Sequence, residues 1–148
     1  MCKTMFMRVL VLTGPNLNLL GEREPEIYGT ETLSDCVDVV KKALPGFDVD
    51  DFQSNAENEL IDAIQKARGN TDAIIINAGA FTHYSYAIRD ALVMFDGIKI
   101  EVHLSNPGAR EEFRHTSVIS AVVTGVISGF KIDSYALAAQ AVASLLAK

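Results

Sequence analysis

The chain has 148 residues, 49% of them apolar and 22% charged, with a formal net charge of −6. That length suits a single domain over 1–148, burying about 68–70% of its unfolded surface with no need of a disulfide or metal staple. An acidic balance without a run of Lys or Arg excludes the basic face that a nucleic-acid partner requires, but leaves room for a small anionic substrate held by local arginines.

The two cysteines, Cys2 and Cys36, form no CxxC pair and no disulfide framework. Cys36 falls at an apolar position of an expected helix and reads as a buried structural thiol. At the start, Met5-Phe6-Met7-Arg8-Val9-Leu10-Val11-Leu12 has an Arg inside its apolar stretch, and no small-residue cleavage site follows. A first strand over 7–13 is expected there, not a signal peptide. No stretch approaches the roughly 20 apolar residues of a membrane span. The expected compartment is the cytoplasm.

From Gly14 to Gly29 the chain reads Gly-Pro-Asn-Leu-Asn-Leu-Leu-Gly-Glu-Arg-Glu-Pro-Glu-Ile-Tyr-Gly. This is too long for a simple turn, and long loops in compact domains are functional or disordered. Leu17, Leu19, Leu20, Ile27 and Tyr28 are costly to leave in water, which argues against disorder. A loop closing over a site is the expectation. It carries Arg23 shortly before Tyr28. A cation beside a phenol favours the phenolate, and a phenolate can serve as a general base.

A helix fits 31–44, with Leu33, Cys36, Val37, Val40 and Leu44 on one face, a capping box from Thr32 to Asp35, and Pro45-Gly46 as the stop. Residues 47–53 read as a short strand. Ser54 and Glu57 offer a second capping box, before a helix with Leu60, Ile61, Ile64 and Ala67 inward and Gly69 at its end. The β-branched run at 72–77 reads as a central parallel strand. A helix at 84–95 is expected to bury Ala87, Ile88, Ala91, Leu92 and Phe95. Strands follow at 98–105 and 121–127. A closing helix at 134–147 is expected to turn Leu137, Ala141, Val142 and Leu145 inward.

Strands alternating with helices predict an α/β fold with a doubly wound, five-stranded parallel sheet of flavodoxin-like order 2-1-3-4-5. Ligands then bind beyond the carboxyl ends of the strands, at the switch point between the first and third. Polar residues gather at those ends. Gly14-Pro15-Asn16 follows strand 1. Asn77-Ala78-Gly79, with Thr82-His83, follows strand 3. His103-Leu104-Ser105-Asn106, with Arg110 and Arg114, follows strand 4. Strand 4 alternates Ile98, Ile100, Val102 and Leu104 with Lys99, Glu101, His103 and Ser105. Side chains two apart share a face, roughly 6.6 Å apart along the strand. Glu101, His103 and Ser105 therefore point one way. A carboxylate beside a His holds its tautomer, which suits His103 for protonating a leaving group. An edge strand with one wet face would show the same alternation; the polar loops on either side favour a site.

Other chemistries find weaker footing. His83, His103 and Glu101 offer ligand atoms for zinc, but Glu-x-His on a strand is not a ligand signature, and neither HExxH nor a Cys cluster occurs. No GxGxxG or GxxxxGK[ST] motif follows a strand. A phosphorylation-receiver domain is disfavoured too, because strand 1 ends without an Asp pair and strand 3 ends in Asn77. His115, after Arg114 in a loop, reads as a surface or supporting residue.

Taken in order and spacing, several motifs resemble type II 3-dehydroquinate dehydratase over nearly the full length. They are Gly14-Pro15-Asn16-Leu17-Asn18, Gly21 through Gly29, Gln53-Ser54-Asn55, Asn77-Ala78-Gly79, Thr82-His83, Glu101 through Asn106, and Ala109 through His115. The resemblance implies reversible anti loss of water from 3-dehydroquinate through an enolate, as in the shikimate pathway of aromatic amino acid biosynthesis. It implies no cofactor, no metal and no imine, and trimers assembled into a dodecamer. By the same resemblance, Tyr28 would be the base and Arg23 would keep it ionisable. Asn16 would hold a water against the enolate oxygen, and His103, oriented by Glu101, would be the acid. Asn77, His83, Ser105, the Leu104 backbone and Arg114 would hold substrate, Arg110 would support the loop, and Asp90 would reach the site from a neighbouring subunit. The chain departs from the usual pattern at Tyr84, Gly108, Thr116 and Lys131, none of them in a catalytic role. Two further readings stand beside this lyase: a non-catalytic flavodoxin-like module binding a small hydroxy-carboxylate, and a metal-dependent hydrolase.

Overall fold

A computed structural model describes residues 6–148; Cys2 and Met5 lie outside the described residues. Five strands, β1 (Arg8–Thr13), β2 (Asp48–Gln53), β3 (Ala73–Asn77), β4 (Ile98–His103) and β5 (Gly125–Ser128), form one parallel sheet in the order β2-β1-β3-β4-β5. This is the expected flavodoxin-like order. The helices are α1 (Pro25–Tyr28), α2 (Leu33–Ala43), α3 (Glu57–Ala67), α4 (Tyr86–Val93) and α5 (Asp133–Leu146).

Strand periodicity divides the core. Val9, Val11, Ala73, Ile75, Ile100 and Val102 face α2 and α5, joined by Cys36, Val40, Tyr135 and Val142. Leu12, Ile74 and Ile76 face α3 and α4, joined by Leu60, Ile64, Ile88, Leu92 and Phe95. Each wholly buried Leu or Ile contributes about 1.5–3 kcal/mol relative to exposure. On β4 only one face is apolar. Its other face, with Lys99, Glu101 and His103, is where the fold departs from a uniformly greasy central strand.

Four local expectations are corrected. The strand expected at 121–127 starts later, at Gly125, because residues Ser120–Val122 form a 3-10 turn. Val122 and Val123 spend their apolar surface on the α3/α4 core beneath that turn. The capping box at Ser54 does not form. Ser54 Oγ accepts the Ala56 amide and donates to Glu59, while Glu57 accepts a 2.6 Å bond from Ser85 Oγ and so ties α3 to α4. Ala87 is exposed, since the inward stripe of α4 runs through Ile88, Ala91 and Leu92. Leu137 is 39% exposed: Tyr135, Ala138, Ala139 and Val142 make the buried stripe of α5, so its inward face is rotated from the one expected. The capping box at Thr32 and Asp35 does form, with both reciprocal bonds in place.

Candidate active site

The strand ends are pressed together before any site residue is placed. Gly14, just past β1, donates its amide to the Asn77 carbonyl at 2.8 Å. A Cβ there would meet the Ala78 carbonyl oxygen at 2.4 Å, so the crossing admits only glycine. This brings the loop after β1 over the ends of β3 and β4.

The loop is ordered by two short pieces, a 3-10 turn at Leu17–Leu19 and the single turn of α1. Leu17 and Leu20 are buried anchors, while Leu19, expected to be sheltered, is 47% exposed. Asn16 takes a left-handed conformation (φ 68°), which Asn tolerates well, and its amide donates to Asn55 Oδ1 at 3.0 Å. Pro25 at the start of α1 fixes the helical turn that carries Tyr28 inward, where it is 7% exposed.

A cleft opens beneath this loop. Its wall includes Arg23, Tyr28, Asn77, His83, His103, Leu104, Ser105, Arg110 and Arg114. Most of the expected site residues therefore converge. Three do not line it: Asn16 stands exposed on the loop, Glu101 is buried behind His103, and Asp90 is exposed on α4. Leu17, Gly79, Ala80 and Pro107 also line the wall, as small or apolar filling that no polar motif announces. Two larger depressions, at the β2 edge against α3 and at the amino ends of β1 and β3, lack such a convergence of His, Tyr and Arg.

Tyr28 lies under two cations. The Arg23 guanidinium carbon is 4.3 Å from the ring centroid and that of Arg110 is 5.1 Å. Arg110 also donates to Ser105 Oγ at 3.3 Å, and its buried Nε has no hydrogen-bond partner. Arg114 uses its Nε on Glu111 at 2.6 Å. That bond, ahead of the opposing effect of desolvation, holds the Glu111 carboxyl below its usual value. A chain of net charge −6 thus gathers three arginines around one cleft. This suits an anionic ligand.

His103 Nε2 bonds Glu101 Oε2 at 2.5 Å. A carboxylate only accepts, so Nε2 carries the proton and Nδ1 is left for the cleft. Glu101 is 1% exposed. Burial by itself would raise its carboxyl, but hydrogen bonds from His103, Ser120 and Ser117, with the charge of His103, outweigh burial and hold it below the ordinary 4.5. His83 stacks beside His103, ring centroids 6.5 Å apart. Its Nδ1 donates to the Thr116 carbonyl at 2.9 Å. Burial first, then the neighbouring His103 and Arg114, lower its pKa from 6.5 against the pull of that hydrogen bond. A neutral His83 presents Nε2 as an acceptor for a ligand hydroxyl. Cys36 is buried with its thiol pushed up to about 12, mainly by desolvation, so it is an inert packing group.

Among the described residues, no three of His, Cys, Asp and Glu stand close enough together to hold a metal ion, and no helix is long and apolar enough to cross a membrane. The serines on Glu101 were not legible from sequence. They sit on an irregular segment, distant in sequence from the strand they serve.

A sequence model of the Dehydroquinase class II family matches residues 7–143. The chain is 53% identical over 142 residues to a 3-dehydroquinate dehydratase of Yersinia pestis, covering 95% of both chains. It is 52% identical over 132 residues to that of Bacillus licheniformis, covering 88% of this chain and 91% of the relative. A crystal structure of type II dehydroquinase from Butyrivibrio crossotus superposes with a TM-score of 0.90 at 47% identity, covering 93% of this chain and 98% of that one.

Proposed function

The chain belongs to the class II dehydroquinase family, and from that premise we propose that its strand-end cleft dehydrates 3-dehydroquinate to 3-dehydroshikimate, in the shikimate pathway. Tyr28, as phenolate, takes a proton from the carbon next to the ketone, and the electron pair moves onto the carbonyl oxygen as an enolate. Arg23 and Arg110 supply the positive charge that supports a phenolate at Tyr28. Asn16, on the loop above the cleft-lining Leu17, would hold a water against the enolate oxygen, a stabilisation usually worth a large share of the barrier. The enolate collapses to the enone as the carbon–oxygen bond of the β-hydroxyl breaks, and His103 delivers a proton from Nδ1, its Nε2–H staying on Glu101, so that water leaves. Glu101 stays ionised behind His103. Asn77, His83, Ser105 and the Leu104 backbone hold hydroxyls, and Arg114 holds the carboxylate.

The observation that carries this reading is one cleft in which Tyr28, flanked by Arg23 and Arg110, shares a wall with His103 backed by Glu101. Base and acid are separate groups, as an anti elimination needs. The reading needs no cofactor or metal. We propose further that 1–148 is one catalytic domain acting in the cytoplasm, in keeping with the free, buried Cys36.

The same reading extends to assembly: trimers built into a dodecamer, with Asp90 reaching a neighbour's cleft. In support, Asp90 stands on an outer face of α4 that leaves Tyr86, Val93 and Met94 at 68%, 52% and 53% exposure. Such an apolar helix face suits a second copy of the chain.

The test mixes chelator-treated protein with 3-dehydroquinate and follows the enone absorbance of the product. Wild type is expected to raise it and Tyr28→Phe to lose it by at least about 10³-fold while retaining ligand. Binding without any turnover in the wild type would favour the non-catalytic module. Loss of activity on chelation would favour the metal hydrolase.

A further inference from the structure

Central strands of a doubly wound sheet are covered by helices on both faces, yet the hydrogen bonds to the Glu101 carboxylate on β4 come from His103, Ser117 and Ser120, none of them on α1–α5. Its neighbours in register, Ile76 on β3 and Val126 on β5, are apolar. The group is covered by the irregular stretch 115–122, which folds back over β4. Ser120 Oγ donates to Glu101 Oε1 at 2.7 Å and Ser117 Oγ donates to the same oxygen at 3.1 Å. Ser117 Oγ also accepts the amides of Ile119 and Ser120 at 3.2 and 3.1 Å. With both lone pairs engaged, its one proton has only the carboxylate to go to. Glu101 Oε2 is thereby left to His103.

We propose that Ser117 and Ser120 are positioning residues for the dehydration, fixing Glu101 as an ionised, single-rotamer acceptor so that His103 keeps its Nε2–H on Glu101 while a second ring proton, on Nδ1, is turned to the leaving hydroxyl. This rests on the reading of His103 as the acid. The segment is itself pinned where substrate is held. The Thr116 carbonyl accepts His83 Nδ1, the Val118 amide donates to the Thr82 carbonyl at 2.8 Å, and the Val118 carbonyl accepts Arg89 of α4 at 2.8 Å. One short stretch therefore sets the orientation of His83 directly and of His103 through Glu101.

The titratable and charged groups around the pair are His103 itself, Lys99 on the same face of β4, whose Nζ is spent on the Leu92 and Phe95 carbonyls, His83 from the turn after β3, Arg114 beyond His83, and Arg89, whose guanidinium is engaged by Val118. None of them replaces the serine protons on Oε1. Without those protons the burial of Glu101 is less fully offset, and its carboxyl takes up a proton at higher pH.

Ser120 is the cleaner probe, because its hydroxyl bonds Glu101 while that of Ser117 also shapes a turn. In Ser120→Ala, kcat is expected to fall on the order of 10-fold, with KM changed by less than about 3-fold. The acid limb of the kcat profile should move to higher pH. Ser120→Thr keeps the hydroxyl and should restore both. Should Ser120→Ala not fold, Ser120→Cys, a weaker donor, should give a smaller displacement in the same direction. An unmoved acid limb, or a Thr variant as impaired as the Ala variant, would overturn the proposal. Ring-nitrogen NMR of His103 reads the same coupling without turnover. A wild type inert toward 3-dehydroquinate, with a His103 tautomer that Ser120→Ala unsettles, counts against the reaction and leaves the positioning network standing.

Discussion

Tyr28 and His103 differ in how their surroundings prepare them. Tyr28 is served by charge: two guanidinium groups stand over its ring. His103 is served by hydrogen bonding, through a buried carboxylate saturated by three donors. Arg23→Ala should therefore lower turnover by on the order of 10–100-fold while ligand affinity changes little, as kinetics and direct titration would show. Equal turnover would remove Arg23 from the base's support. Glu101 gives a pH prediction. Its folded pKa lies below 4.5, so its contribution to stability is fully present above that value and is lost as pH falls through the lower folded value. Wild type should exceed Glu101→Gln by about 1–3 kcal/mol in urea unfolding at pH 7 and lose that margin as the pH falls below 4.5 through the lower folded value. A margin that grows with acid contradicts the pairing. The Glu-x-His spacing was legible because period-two geometry alone puts both side chains on one face. The serines behind Glu101 were not, because an irregular segment has no period from which to infer what it covers.

Elements were legible where one pattern dominated. The apolar run of β3 and the Thr32 cap of α2 left no competing arrangement, and both formed as expected. The run at 121–123 was misleading because β-branched residues serve a core beneath a turn as well as they serve a strand. The Ser54 box failed because Glu57 found a tertiary partner in Ser85. Lys131 marks the turn between β5 and α5. It holds φ 52°, a left-handed backbone that a side-chain-bearing residue occupies at a cost, and its amide donates to the Leu104 carbonyl at 2.9 Å. Lys131→Gly should relieve that strain and stabilise the protein by a net of about 0.5–1 kcal/mol, read as a higher Tm with unchanged kcat. A lower Tm would mean that the Lys stem, packed within 3.6 Å of where a Cβ on Gly29 would lie, contributes more than the strain costs.

At the scale of the molecule, topology alone brings the site together. The order 2-1-3-4-5 makes β1, β3 and β4 neighbours, so three loops far apart in sequence meet at one rim. The outer face of α4, with Tyr86 and Val93, is left uncovered among the described residues. If that face joins copies, Val93→Glu should reduce the assembly's mass in sedimentation and lower turnover together, because Asp90 would leave the neighbouring cleft. A smaller particle with full activity would separate the face from the chemistry.

The division of labour between base and acid is tested most directly by proton exchange. Incubated with 3-dehydroquinate in deuterated water, His103→Ala should exchange the hydrogen next to the ketone while forming little enone. Tyr28→Phe should do neither. Exchange that persists in Tyr28→Phe, or that vanishes with His103 alone, would contradict the assignment.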